Sequence, residues 1–455
     1  MNEQFCGNGA VAVVEEKDNA DSANNAVGAK VWTSLTTILD LNEDCWRVVM
    51  DYLTVKDQLR LASSNLFIGE VFKRYACHQY KHIDTSLTVW LSDEDVKLLL
   101  QIVGENLVSY ESDWNIELEL SLLRNHCTNL QNLKIKIPPG WPGWLNLRNL
   151  KKLKSLDVNL VPMYEDNEDE EFCTDFVEEL KQFPYLKELK LKAQYSGRGL
   201  DALDQLESLE LYLDYGIDCR SMDDCCQKLK KLRSLRFGYD IEHFTKDNFE
   251  MLLKHCQQLE RLSFNVEKLY LTVPYDLVCQ LPRLQHLELF HDGSISDSLI
   301  KGLINKKGSP LESLLLGPVS PVKLPEDQVK HICNISTLKE LEVECDTVPL
   351  ADLLKLKNLL YLHIYMPIAN DQAMDLLKGL PRLEVLNLPN NEMLVHGNLV
   401  NSVRTWMSEQ TERRRMIKIY IIESDSNEIL FKNSFVEIIM LDCRSLPILI
   451  NKELS

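Results

Sequence analysis

The chain has 455 residues, 45% hydrophobic and 26% charged, with 69 acidic against 50 basic residues and a formal charge of −19. Apolar material is ample for a core, and the acid excess argues against sequence-independent binding to nucleic acid or an anionic membrane, both of which need a basic footprint. The thirteen cysteines are odd in number and form no CxxC pair, so they read as reduced thiols of an intracellular protein, cytoplasmic or nuclear, and not as a secreted framework or a zinc site.

Residues 1–34 are rich in Asn, Ala, Gly, Asp and Glu and read as a disordered leader with no basic, apolar signal segment. No apolar run reaches the roughly 18 residues of a membrane span. Residues 35–80 change character. Cys45, Val48, Val49, Tyr52 and Leu53 recur at helical intervals, followed by Leu59, Ala62 and Leu66. Thr54 to Asp57 has the T-x-x-D form of a capping box and marks a fresh helix, and a third helix is predicted over 68–80. Three short helices make a poor core alone, so this unit is expected to lean on the chain beyond residue 80 and on a partner.

From about residue 81 a solenoid is predicted, running to 391. Its signature is L-x-x-L-x-[LVIF], met eleven times from Leu130-Leu133-Ile135 to Leu383-Leu386-Leu388, with starts 20 to 33 residues apart. That spacing lies mostly in the leucine-rich-repeat range. In each repeat the leucines of a short strand point inward and alternate residues face out. Return limbs look helical at 246–256 and 371–380. The expected fold is α/β, a curved stack with parallel strands on its concave side. Where such repeats often carry a buried Asn, this chain has Asp214, Asp240, Asp292, Asp346 and Asn391. Since Asp cannot donate, a continuous Asn ladder is absent; solvated turn carboxylates are the alternative. Residues 392–455 are expected to cap the open end, with a helix over 397–413 and strands at 416–422 and 436–441.

The segment Leu41-Asn42-Glu43-Asp44-Cys45-Trp46-Arg47-Val48-Val49-Met50-Asp51-Tyr52-Leu53, followed by Asp57-Gln58-Leu59-Arg60-Leu61-Ala62, resembles an F-box. It departs from that pattern at Asn42, where Pro is usual, and in lacking a late Trp, with Phe67 or Ile68 in its place. A three-helix F-box ahead of leucine-rich repeats is similar to the F-box/LRR proteins, substrate receptors of SCF-type cullin–RING ubiquitin ligases. The resemblance implies a Skp-family adaptor and, through it, cullin and RING subunits as partners, a protein substrate, no cofactor, and no catalysis by this chain. Carried over by position, it assigns the adaptor face to Leu41, Asn42, Cys45, Val49, Met50, Leu53, Leu59 and Leu61. The alternative is that these residues only cap the solenoid.

Outward strand positions sketch a client surface. Asn132, Lys134, Lys136, Lys190 and Lys192 make a basic end; the middle holds small residues with Tyr212, His286 and Phe290. Glu340, Glu342 and Glu344 occupy every outward position of one strand, beside Tyr361, His363 and Tyr365 on the next. Three like charges with aromatic anchors nearby are expected to hold a basic, apolar-flanked segment of the client. The acidic run Tyr164–Glu171 reads as a solvated insertion loop, and the stiff loop Pro138–Trp144 as packing over the repeat edge. No P-loop, dinucleotide-binding glycine motif, H-E-x-x-H or G-x-S-x-G is present. A scaffold or inhibitor built on the repeats alone is the competing class, and a catalytic-cysteine ligase a remoter one.

Overall fold

In the computed structural model, residues 38–112, 116–138, 147–162, 168–214, 216–238, 241, 244–266, 273–291, 294–318, 323–365, 368–389, 396–409, 416–423, 428–433 and 435–442 are described. The leader, the tryptophan loop from Pro139 onward, Tyr164–Asn167, Asp240, Asp292 and Asn391 lie outside them.

Three helices open the fold: α1 (Glu43–Asp51), α2 (Val55–Ser64) and α3 (Leu66–Gln79). Each begins on a side-chain cap that satisfies first-turn N–H groups. Asn42 accepts from the Cys45 N–H at 2.9 Å, Thr54 from Asp57 at 3.2 Å, and Asn65 from Phe67 at 2.8 Å. Asn42 thus does with its side chain what a proline there could not. Gln58 staples the unit. Its amide donates to the Met50 and Leu53 carbonyls at the end of α1, and its oxygen accepts from the Tyr80 hydroxyl beyond α3.

The chain then builds one sheet of sixteen strands among the described residues. They are β1 (His82–Ile83), β2 (Ser109–Ser112), β3 (Asn132–Ile137), β4 (Ser155–Leu160), β5 (Glu188–Ala193), β6 (Ser208–Leu213), β7 (Ser234–Phe237) and β8 (Arg261–Asn265). Next come β9 (His286–His291), β10 (Ser313–Pro318), β11 (Glu340–Val343), β12 (Tyr361–Ile364), β13 (Val385–Pro389), β14 (Ile417–Glu423), β15 (Glu428–Lys432) and β16 (Val436–Asp442). Spatial order equals sequence order up to β14, every pairing there parallel. This is a leucine-rich-repeat solenoid of the α/β class, and its register sets like positions of successive repeats side by side: Leu133 on Leu156 on Leu189 on Leu209. Those leucines are buried, as are Cys127, Cys256 and Cys333 ahead of the strands. Burial pushes the Cys127 and Cys333 thiols up to about 12, which keeps them protonated and inert.

Limbs opposite the sheet are helical, among them α4 (Thr85–Thr88), α5 (Asp93–Val103), α6 (Ile116–His126) and α7 (Glu168–Leu180), then Lys246–His255 and Asn370–Gly379 as the periodicity predicts. Glu168 to Glu171 open α7 and are no loop. Asp169 is buried, and Glu170 accepts from the Ser196 N–H at 2.9 Å and from its hydroxyl. Asp214 and Asp346 are exposed, as solvated turn carboxylates.

The two ends differ from simple caps. On α3, Val71, Phe72 and Ala76 are buried in the same continuous core as Leu99, Leu100 and Val103 of α5. The helical unit is therefore stacked on the first repeat and shares its core. At the other end β14 and β16 extend the parallel sheet, and β15 returns antiparallel along the edge with a bulge between Ile429 and Phe431. Closure comes from sheet extension backed by the helix His396–Glu409, whose Leu399, Val403 and Trp406 are buried.

Candidate partner-binding surfaces

On α1, Trp46 and Met50 point into the core, one turn apart. Cys45, Val48 and Tyr52 lie on the opposite face at i, i+3 and i+7 and are exposed, Tyr52 at 87%. Leu66 (92% exposed) and Phe67 open α3, and Ile38 and Leu39 precede α1. Val89 and Trp90 add exposed apolar surface near α2, where the Lys56 ammonium reaches the Trp90 carbonyl at 3.3 Å. These are large apolar side chains left to water around one three-helix unit.

This corrects the residue set carried over from the family pattern. Met50 and Leu59 are core residues at or below 1% exposure and can meet no partner. Leu41, Val49, Leu53 and Leu61 are half-buried, Leu41, Val49 and Leu61 against that core; Asn42 and Cys45 are exposed. Val48, Tyr52, Leu66 and Phe67, which position-by-position transfer does not include, are exposed. Helical phase held the signal, since Val48 and Tyr52 lie away from the Trp46–Met50 stripe.

The open face of the sheet carries three rows of outward side chains. Its central row is a charge ladder. The Lys134 ammonium sits 2.5 Å from Glu111; Lys190 lies 3.8 Å from Asp157 and 3.7 Å from Glu210; Arg236 joins Glu210 at 3.3 Å to Glu288 at 2.9 Å. Opposite charges on neighbouring strands neutralise one another, so Lys134 and Lys190 are not the free basic end that reading each strand alone suggests. Burial lifts the Asp157 carboxyl above its ordinary value, and Lys190 and Lys134 oppose that.

In the outer row two aromatic rings lie across glycines of the next repeat. Tyr212 covers Gly238 so closely that an added Cβ would fall inside the ring contact, and Phe290 covers Gly317. Lys190 stands 5.2 Å from the Tyr212 ring centre and Arg236 5.9 Å from that of Phe290. Tyr212, His286 and Phe290 are each half-buried on this face.

At the glutamate strand each carboxylate has a cationic or titratable neighbour: Glu340 with His286 at 3.9 Å, Glu342 with His363 at 3.6 Å, and Glu344 with Lys323 at 3.9 Å. Burial works against the Glu340 charge, but His286 and Ser313 outweigh it and hold its carboxyl below the ordinary range. Burial lifts Glu344 despite Lys323. The aromatic strand beside it does not present three anchors. Tyr361 is 4% exposed and His363 fully buried, because Tyr365 stacks on His363 at 4.0 Å between ring centres and Asn387 bonds the Tyr361 hydroxyl at 3.2 Å. Only Tyr365 of the three reaches solvent, and that in part.

The fold and these surfaces define a repeat solenoid with an apolar helical head and an open sheet face. No protein-family model matches the chain, and no curated protein matches it. Among solved structures it is similar to a chain of the yeast Rad7–Elc1 complex, with 15% identity over 78% of this chain and 90% of that one and a TM-score of 0.49. It is also similar to an internalin of Listeria monocytogenes (17% identity, 70% and 90% covered, TM-score 0.35). A third likeness is to a leucine-rich-repeat protein of Leptospira interrogans (14%, 72% and 87%, TM-score 0.31).

Proposed function

We propose that this chain is the client-binding subunit of an SCF-type cullin–RING ubiquitin ligase, docked on a Skp-family adaptor through residues 38–67 and holding a protein client on the open sheet face. Ubiquitin transfer then belongs to other subunits. One observation carries the reading: the helical head keeps Val48, Tyr52, Leu66 and Phe67 in water although its core is already filled by Trp46, Met50, Leu59 and Phe72. A unit whose only task was to cap the solenoid would turn those side chains inward or replace them by polar ones. The F-box resemblance of residues 41–62 supplies the identity of the partner, and helix-in-groove docking the mode.

The test is Val48→Asp with Tyr52→Asp. Both positions are solvent-exposed, so the fold is spared. Co-purification of the adaptor should fall by at least about tenfold, the loss expected when central interface anchors are removed. Full recovery of the adaptor with this folded variant defeats the ligase assignment. A second reading is favoured by the shared core of α3 and α5: the head is an integral cap and the chain a free-standing protein-binding scaffold. Client capture that is undiminished in cells lacking the adaptor supports it.

A further inference from the structure

The open face is charged unevenly once its ladder is subtracted. Between β3 and β6 it forms a basin of about 320 Å³ lined by Lys134, Asp157, Asn159, Lys190, Lys192 and Tyr212. Lys134 and Lys190 are engaged by Glu111, Asp157 and Glu210. Lys192, which lines the basin, and Lys136, in the same outer row two strands away and outside the lining, are exposed, and among the described residues neither has a carboxylate within ion-pair distance. Register sets Lys136 against Asn159, Asn159 against Lys192, and Lys192 against Tyr212. Alternate strands stand roughly 10 Å apart, so two extended lysines on β3 and β5 can converge on one anion above the Asn159 amide. Tyr212 walls the far side, its ring fixed over Gly238 and beneath Lys190.

We propose that this basin is an anion-accepting subsite of the client surface, in which Lys136, Lys192 and Asn159 hold a carboxylate or phosphoryl group of the bound protein. The inference rests on the reading that the open face holds a client, and needs no adaptor. It places the primary contact at the opposite end of the sheet from the glutamate strand, where the aromatic anchors are buried and the carboxylates have neighbours of their own. The specificity is local: on a chain of net charge −19, exposed lysines without a carboxylate beside them are a place where an acidic segment is attracted against the overall charge.

The test uses the full chain and three fluorescein-labelled probes read by anisotropy: hexaglutamate, a six-residue Gly/Ser peptide with one phosphoserine, and the same peptide unmodified. At least one acidic probe is expected to bind more tightly than the unmodified peptide at about 20 mM salt and to weaken as salt rises. The tighter of the two identifies the group as carboxylate or phosphoryl. Lys136→Glu with Lys192→Glu should cost at least about tenfold in affinity, Lys136→Arg with Lys192→Arg should retain binding, and Lys97→Glu with Lys301→Glu, on the helical side, should change it little. Equal binding of all three probes, or acidic binding that survives reversal of both lysines, overturns the proposal. Adaptor recovery from the same preparations reports separately on the ligase assignment.

Discussion

Glu119 shows how a single residue of this fold can couple to pH. It lies on α6, buried against β2, and burial lifts its carboxyl above the ordinary glutamate range, with Ser112 opposing the shift. Folded protein therefore keeps the proton at a pH where unfolded chain has released it. Stability is full below the unfolded value of about 4.3 and falls as pH rises through the raised folded value. Glu119→Gln should be more stable than the parent at pH 7.5 in urea denaturation, and the gap should close toward pH 4; a gap independent of pH contradicts this account. Residues on the open face, by contrast, were legible only as types. Tyr212 and Phe290 stand out in the sequence as outward aromatics, but that each lies on a glycine of the neighbouring repeat depends on register.

At the scale of elements, the caps were readable and the staple was not. The T-x-x-D box at Thr54 and the helical period of residues 45–66 announce α1 to α3, because capping and amphipathicity are local physics. Gln58 carries no such signal; a glutamine among apolar neighbours reads as a solvent-facing residue. Its three hydrogen bonds tie the end of α1 to the end of α3, and Gln58→Leu would leave the Tyr80 hydroxyl and the Met50 and Leu53 carbonyls without it. The expected cost is about 2–3 kcal/mol, confined to the head. Amide exchange in α1 and α2 should quicken while β8 to β12 stay protected. Uniform exchange across both regions rules the staple out. The glutamate strand makes the complementary point. Glu340, Glu342 and Glu344 were rightly read as outward-facing, yet their compensation by His286, His363 and Lys323 comes from strands and loops up to 54 residues away in sequence.

Across the whole molecule, stability is that of a stack in which each layer covers the next, so the ends bear the exposed area. One hydrophobic core runs from Trp46 to Ile438 without a break. Ending the chain at residue 389 would strip β14 from β13, and with it β16 beyond, and bare Leu386 and Leu388, both now fully buried. That truncation should lose the monomer peak in gel filtration to aggregate through the freed sheet edge. A monodisperse product shows that β14 to β16 are dispensable. The same logic warns against deleting residues 1–80 to test docking, since Val71 and Phe72 cover the first repeat; paired point substitutions at Val48 and Tyr52 leave that contact intact.

The amino-acid sequence by itself determined the repeat, the inward and outward sides of each strand and the helical head, because a period of about 25 residues with alternating burial has one economical solution: parallel strands stacked in chain order. Tertiary structure alone decided which outward charges are cancelled and which remain, and which apolar residues of the head are core and which are surface. Both are properties of neighbours brought together across repeats. Lys134 and Lys192 are the same residue type on the same face, and only the carboxylate lying beside one of them makes the difference.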